Sequence, residues 1–454
     1  MAAAYLERVR ANGKRVLEDL HRLRSFGAAP PYVATSKGGD GVSKGVVRPA
    51  LSHADIEARQ WLMERASEAG LEPEMDGIGT TIARGTSTGP RLLAGSHSDT
   101  QPEGGWLDGA LGVVFALEAA RALAEAGGPA AIDVVNWQDE EGRFGTLVGS
   151  SAYVKGAASV DFGAWSGSPE SAAPRETLAE AAQARGLHGR PLFEHPAVVA
   201  EGGTAAVAAG AADAPYLGYF EAHIEQGLRL VDAGHAVGAV SSIVGLRQFV
   251  ITFMGDQNHA GTTTMATRRD AARAAFGFAH DVHERFGALA GAGSHAVWTI
   301  GQCTVKPGAV SIVPSEAKLT LQFRDPTTEA LDAMEAALEE AIEAVRVAEG
   351  AAGVQVAVAA EGAPVAPVAM DSSLLEHVRV AAEQQASGSW QELHSAAIHD
   401  AGMLAARMPA AMLFVPSING VSHDFAEDTA EEDIVRGAQV YALAAARMVA
   451  GGAG

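Results

Sequence analysis

Apolar positions along this chain repeat with a period near 3.6 in some stretches and near 2 in others, and the switches outline its elements. Leu6, Val9, Val16, Leu20 and Leu23 recur at roughly helical spacing within residues 1–27 and predict a surface helix. Residues 28–50, rich in Gly, Pro and Ser, read as a surface loop. Ser52-His53-Ala54-Asp55 is a capping-box-like start for a helix carrying Ile56, Trp61, Leu62 and Met63 and closed by Gly70. A strand-like run then reaches Gly95, a helix spans about 110–126, and Ile132 to Trp137 form a buried strand. Residues 157–215 are Ala-, Gly- and Pro-rich with one helical patch near 178–184, and apolar order returns at Tyr216 to Ile224. Strands alternating with helices predict an α/β sheet.

From about Leu246 the order changes. A strand (Phe249 to Met254), a helix (about 267–286), two strands (about 296–305 and 317–324), a long helix (329–348) and a last strand (354–359) give β-α-β-β-α-β, an independent small α+β arrangement. The α/β pattern resumes from Ser372. The expected organisation is a larger α/β domain, residues 1–244 and 365–454, with a mixed sheet flanked by helices. Residues 245–364 are an inserted α+β domain whose exposed sheet or helices would suit dimer formation.

Composition narrows the function classes. A chain of 454 residues with 48% hydrophobic and 19% charged residues is a globular enzyme-like chain of more than one core. A net charge of −22 argues against nucleic acid and anionic membranes as partners, while leaving room for a local cationic pocket. Cys303 is the only cysteine, which excludes an intrachain disulfide and a thiolate zinc site and points to the cytoplasm. No apolar run is long enough to span a bilayer, and Glu7, Arg8, Arg10, Lys14 and Arg15 break any signal-peptide core.

Candidate chemistry gathers where predicted strands end. Leu92-Leu93-Ala94 leads into His97 and Asp99, and a glycine-broken loop brings Asp108 to the start of a helical pattern. The strand ending at Trp137 runs into Asp139-Glu140-Glu141-Gly142. His223 lies in Tyr219-Phe220-Glu221-Ala222-His223-Ile224, and His423 follows the apolar Met412-Leu413-Phe414-Val415. Singly, each reads as well as a hydrogen-bonded core histidine, a helix cap or a solvated acid. Together, three histidines, a shareable aspartate and a glutamate suffice for two adjacent divalent ions that activate water and polarise a carbonyl. Adjacent carboxylates at Glu140-Glu141 can divide labour, one on a metal and one taking a proton. His259, in Asn258-His259-Ala260-Gly261-Thr262, could donate to a developing oxyanion, or simply stabilise its loop. Arg324, ending an alternating strand, could clamp a carboxylate or be a surface cation.

These stretches resemble the M20-type dinuclear metallohydrolases, in the amidase/carbamoylase branch that holds N-carbamoyl-L-amino-acid hydrolases, allantoate amidohydrolases and β-ureidopropionases. The resemblance rests on Gly95-Ser96-His97-Ser98-Asp99-Thr100, Gly105-Trp106-Leu107-Asp108-Gly109-Ala110, Asp139-Glu140-Glu141-Gly142, His223-Ile224-Glu225-Gln226-Gly227, Asn258-His259-Ala260-Gly261-Thr262 and Val421-Ser422-His423. It implies a metallopeptidase-like catalytic domain and an inserted dimerisation and lid domain. It implies His97, Asp108, Glu141, His223 and His423 as ligands of two divalent ions, zinc first, with manganese, cobalt or nickel possible. Asp108 would bridge, Asp99 would orient His97, and Glu140 would be the general base. Gln226, His399, Arg324, Asn258 and Ser311 match substrate-contacting positions, with Ser311 where relatives usually have asparagine. His259 would reach the partner subunit's site in a homodimer. The implied activity is hydrolysis of a linear amide or carbamoyl C–N bond in a small carboxylate-bearing substrate, a ureido acid first. An aminoacylase or dipeptidase is the alternative, and a dimeric binding protein without catalysis a third reading.

Overall fold

A computed structural model describes residues 4–29, 44–166, 175–196, 216–291, 294–350 and 353–451. The chain divides into two compact units, Met1–Ser241 with Met370–Leu393 and Ile398–Gly454, and Ser242–Ala369 with His394–Ala397.

The first unit is built on a mixed sheet. Its strands are β1 (Glu72–Met75), β2 (Thr81–Arg84), β3 (Leu92–His97), β4 (Ile132–Trp137), β5 (Gly218–Ile224) and β6 (Val237–Ile243), joined late in the chain by β14 (Trp390–Ser395) and β15 (Ala410–Val415). The order is β1-β2-β4-β3-β5-β15-β6, with β14 also on β6. The central four, β4-β3-β5-β15, are parallel. All six residues of β3, β4 and β15 are buried, as continuous apolar runs covered on both faces should be. Helices Ala110–Glu125 and Glu431–Gly451 pack on this sheet, and Tyr441 stacks on Phe220 with ring centroids 4.1 Å apart.

Two sequence expectations change here. The N-terminal periodicity is interrupted: a short turn, Leu6–Arg8, precedes a helix at Gly13–Arg24, because the Asn12 side chain accepts the Arg15 N–H and starts a new helix. Most of the loop expected at 28–50 lies outside the described residues, but its end is not on the surface. Val46 and Arg48 are fully buried, and Arg48 donates to the carbonyls of Ser98, Leu23 and Phe26. The helical patch near 178–184 is a helix, Leu178–Ala184, with Thr177 and Glu180 forming a capping box.

The second unit holds β7 (Gly245–Met254), β8 (Asn258–His259), β9 (Val297–Lys306), β10 (Ile312–Val313), β11 (Glu316–Asp325), β12 (Gln355–Ala360) and β13 (Val368–Ala369). An antiparallel sheet ordered β12-β7-β11-β9 carries helices Ala271–Leu289 and Thr328–Glu349 on one face, which is the β-α-β-β-α-β arrangement. Ile251, Phe253, Leu319, Leu321 and Phe323 bury that face, together with Phe278 and Phe286 of the first helix. That helix starts four residues later than periodicity predicts, because Asp270 caps it by accepting the Arg273 N–H. β13 pairs with Ser242 and Ile243.

Candidate metal centre

The parallel strands of the first unit send their carboxyl ends to one edge, where open α/β sheets collect ligands. His97 is the last residue of β3 and lies beside Trp137, the last of β4. His223 on β5 lies beside Phe414 on β15, and His423 follows in the loop after β15. Between β4 and helix Val148–Lys155, Asp139 has φ 55° and accepts the N–H groups of Arg143, Phe144 and Gly145. That Asp-centred turn holds Glu140 and Glu141 at the sheet edge.

Two donor groups form there and share one residue. His97, Asp108 and His223 make the first; Asp108, Glu141 and His423 make the second. The two oxygens of Asp108 serve different groups. Oδ1 lies 2.9 Å from His223 Nε2 and 3.7 Å from His97 Nε2, whereas Oδ2 lies 3.2 Å from His423 Nε2. His423 Nε2 is 3.5 Å from Glu141 Oε2.

The hydrogen bonds behind the rings decide whether this set fits a metal. His97 Nδ1 is 3.1 Å from the Asp99 carbonyl and His223 Nδ1 is 2.9 Å from the Ile224 carbonyl. A carbonyl only accepts, so each Nδ1 carries the proton and each Nε2 turns a lone pair toward Asp108. Lone pairs converging on a carboxylate need a cation between them. Glu141 Oε1, buried with no hydrogen-bond partner, adds a further oxygen free to ligate a cation. Neutral imidazole nitrogens and carboxylate oxygens are the ligands of zinc, manganese, cobalt or nickel.

Without a metal, protons answer part of that demand. Burial works against a charge on His223, but Asp108 outweighs it and holds the ring up at about 9. Its hydrogen bond to Asp108 holds His423 up at about 9 as well. His97, more penalised by burial than helped by Asp108, is pushed down to about 3. Burial, then the neighbouring Asp108 charge, pushes Glu141 up to about 8. Burial and the charges of Asp400 and Glu141 hold Glu140 well above the usual carboxylate range. Its Oε2 is 3.8 Å from His97 Nε2.

The surrounding residues fix this cluster. Asp99 meets His97 mainly through its backbone: its carboxylate is 3.8 Å from Nδ1 and accepts the Glu141 N–H at 3.3 Å. Gln226, with φ 58°, donates from Nε2 to Asp108 Oδ2 at 3.1 Å and to Ser422 Oγ at 2.9 Å. His399 is buried with its ring centroid 4.5 Å from that of His223. Several supporting residues escaped the sequence reading. Glu427 accepts the N–H groups of Leu107 and Asp108 at 3.1 and 3.0 Å. Fully buried Arg59 donates to Asp55 and to the Asn136 and Trp137 carbonyls that end β4. Glu221 takes the Ser96 hydroxyl and the Ala401 N–H. Only the Ser52–Asp55 helix start carried a local signal, and there the Ser52 side chain accepts the Asp55 N–H while the Asp55 carboxylate accepts the Leu51 N–H; the others act across long sequence separations.

The remaining candidates belong to the second unit. His259 on β8 pairs with Ile312 on β10, and the Ala260 N–H donates to the Ser311 carbonyl, so Asn258, His259 and Ser311 sit together in one two-stranded ribbon. His259 Nδ1 accepts the N–H groups of Gly261 and Thr262 at 3.0 and 3.2 Å, which leaves the ring proton on Nε2. Arg324 is on β11, where Nη1 donates to the Ala396 carbonyl.

The sequence pattern of Peptidase family M20/M25/M40 matches residues 93–447. The chain belongs to this family. It is 30% identical over 434 residues to the allantoate amidohydrolase of Escherichia coli (strain K12), covering 94% of this chain and 95% of that protein. It is 32% identical over 440 residues to an N-carbamoyl-L-amino acid amidohydrolase of Geobacillus stearothermophilus, covering 94% and 96%. Among solved structures, an amidase of the hydantoinase/carbamoylase family from Burkholderia phymatum superposes with a TM-score of 0.81 at 41% identity over 97% of this chain and 98% of that one. Membership of the M20 family and the two donor groups together make this a divalent-metal centre. Among the described residues no helix is long and apolar enough to cross a membrane.

Proposed function

We propose that this M20-family protein is a metal-dependent amidohydrolase that cleaves a linear amide or carbamoyl C–N bond of a small ureido acid, an N-carbamoyl-L-amino acid or an allantoate-like compound. The observation that carries this reading is the division of Asp108, each of whose oxygens faces a different histidine-containing donor group. On this reading His97, Asp108 and His223 hold one ion and Asp108, Glu141 and His423 a second, zinc first. When bound, the pair supplies Lewis acidity toward the scissile carbonyl and acidifies an adjacent water.

The chain's own residues do the rest. Glu140 takes a proton from the water as its oxygen bonds to the carbonyl carbon, then returns the proton to the leaving nitrogen as the C–N bond breaks. Its raised proton affinity suits both halves of that task. His259 donates its Nε2 proton to the developing oxyanion, and it does so across a homodimer, in the partner subunit's site. Arg324 takes the substrate carboxylate, while Gln226, His399, Asn258 and Ser311 contact the rest of the molecule. The second unit is thus a dimerisation and lid module, and the enzyme works in the cytoplasm.

The test is E140Q in metal-reconstituted protein. Metal content should stay at the wild-type value while kcat falls by about 10²- to 10⁴-fold. Turnover surviving that change rejects Glu140 as the base. A parallel panel of ureido acids and N-acyl amino acids separates the ureido-acid reading from an aminoacylase, because only the former releases ammonia.

A further inference from the structure

Arg324 is a cation without an acid. The chain has 55 acidic residues against 33 lysines and arginines, yet no carboxylate pairs with Arg324 among the described residues. Burial is the sole cause moving its proton affinity, and it lowers it. Its guanidinium is instead held by neutral groups: Nε donates to Gln322 Oε1 at 3.0 Å and Nη1 to the Ala396 carbonyl at 3.1 Å.

Gln322 is the first step of a longer ladder. Gln322 and Arg324 are two apart on β11 and so share a sheet face, the one opposite buried Leu321 and Phe323. Gln248 on β7 stands directly across from Gln322, and Gln322 Nε2 donates to Gln248 Oε1 at 2.7 Å. Gln248 Nε2 donates to Glu361 Oε2 at 2.6 Å, and the Glu361 N–H returns to the Gln248 carbonyl at 2.9 Å. Each end of the ladder is chemically one-sided. A carboxylate only accepts and a guanidinium only donates, so the orientation of both amides between them is dictated. Every amide oxygen faces Arg324 and every amide nitrogen faces Glu361.

We propose that Gln322, backed by Gln248 and Glu361, is a positioning and specificity-determining residue for the carboxylate end of the substrate. The proposal rests on the reading of Arg324 as the carboxylate site. Of the five N–H donors of Arg324, the ladder and the Ala396 carbonyl occupy two and leave three, including both on Nη2. A neutral acceptor at Nε orients the guanidinium without neutralising it. An acidic residue in that place would satisfy the cation internally and compete with the ligand.

Steady-state kinetics on metal-loaded enzyme test this, using the N-carbamoyl-L-amino acid of highest turnover and its primary carboxamide. Q322L should raise KM for the acid about tenfold with kcat within about twofold, and Q322E should raise it further, by placing a carboxylate against Nε. Neither change should alter KM for the carboxamide, which offers Arg324 no charge. E361Q should give the same selective rise, smaller, because an amide no longer dictates the orientation of Gln248. Thermal melting identifies any variant that fails to fold. R324L separates the two ideas. If R324L abolishes the preference for acid over carboxamide while Q322L and Q322E keep the wild-type KM, the ladder proposal is overturned and the Arg324 reading stands. If R324L leaves the preference intact, the Arg324 reading itself is wrong.

Discussion

Glu427 and Gly105 occupy complementary space: a Cβ at position 105 would come within 1.9 Å of the Glu427 carboxyl carbon. Through that gap Glu427 reaches the N–H groups of Leu107 and Asp108, and the Ser422 hydroxyl bridges Glu427 Oε2 at 3.1 Å and Asp108 Oδ2 at 3.2 Å. The residue shared by both donor groups is therefore oriented from the far end of the chain. Gly109 completes the fit, since its φ is +63° and a Cβ would lie 2.3 Å from His97 Nε2. E427Q should weaken metal binding about 10- to 100-fold, as loss of a residue that orients a ligand typically does, without changing helix content. Chelator competition on the purified variant measures this, and an unchanged affinity would remove Glu427 from the metal site. At this scale the sequence was informative where a residue type announces its chemistry. His97 and His223 stand at strand ends after apolar runs, and Asp108 follows a glycine-broken loop at the start of a helix. Glu427 reads as a solvated acid until the fold sets it under residues 107 and 108.

The four parallel strands explain both the legible and the hidden parts of the fold. β3, β4, β5 and β15 are apolar runs bounded by glycine, proline or acidic residues, and β11 of the second unit alternates through Leu319, Leu321 and Phe323, so both patterns can be read locally. The two-residue strands β8 and β10 cannot, because their pairing depends on bringing His259 beside Ile312. Strand convergence also has an electrostatic consequence. With no metal, His223 and His423 titrate at about 9 and Glu141 at about 8. Each group is raised above its unfolded value, so its stabilising effect is complete at low pH and is lost as pH climbs through the folded value. Metal-free protein should therefore unfold at progressively lower temperature between about pH 6.5 and 9. Ligation requires the neutral rings and the ionised carboxylate, so metal affinity should rise over the same window, by up to about tenfold per pH unit for each proton displaced. Melting curves with and without zinc or manganese, together with proton release on metal addition, measure both effects. Affinity that stays flat from pH 6.5 to 9 would mean that these groups do not ligate.

At the scale of the whole molecule the candidate residues are divided between two compact units: the donor groups and Glu140 lie in the first, and Asn258, His259, Ser311 and Arg324 in the second. The β-α-β-β-α-β order of the second unit was legible because helix- and strand-period stretches follow one another in that order along the sequence. How residues of the two units would meet one substrate leaves no periodic signal, so the sequence carried it only through the family resemblance. If His259 acts on the partner subunit's centre, the division has a quantitative consequence. E140Q and H259A should each retain less than about 1% of wild-type kcat with full metal content. In a hybrid dimer of the two, one site combines an intact Glu140 with an intact His259 from the other subunit, and the second site lacks both. Random exchange puts half of all dimers in the hybrid form, so an equal mixture should recover about a quarter of wild-type activity. If His259 serves its own subunit, no site in the mixture has both residues, and activity stays at the level of the separate variants. The recovered fraction, measured after co-expression, decides between an enzyme whose site is complete within one chain and one that needs two.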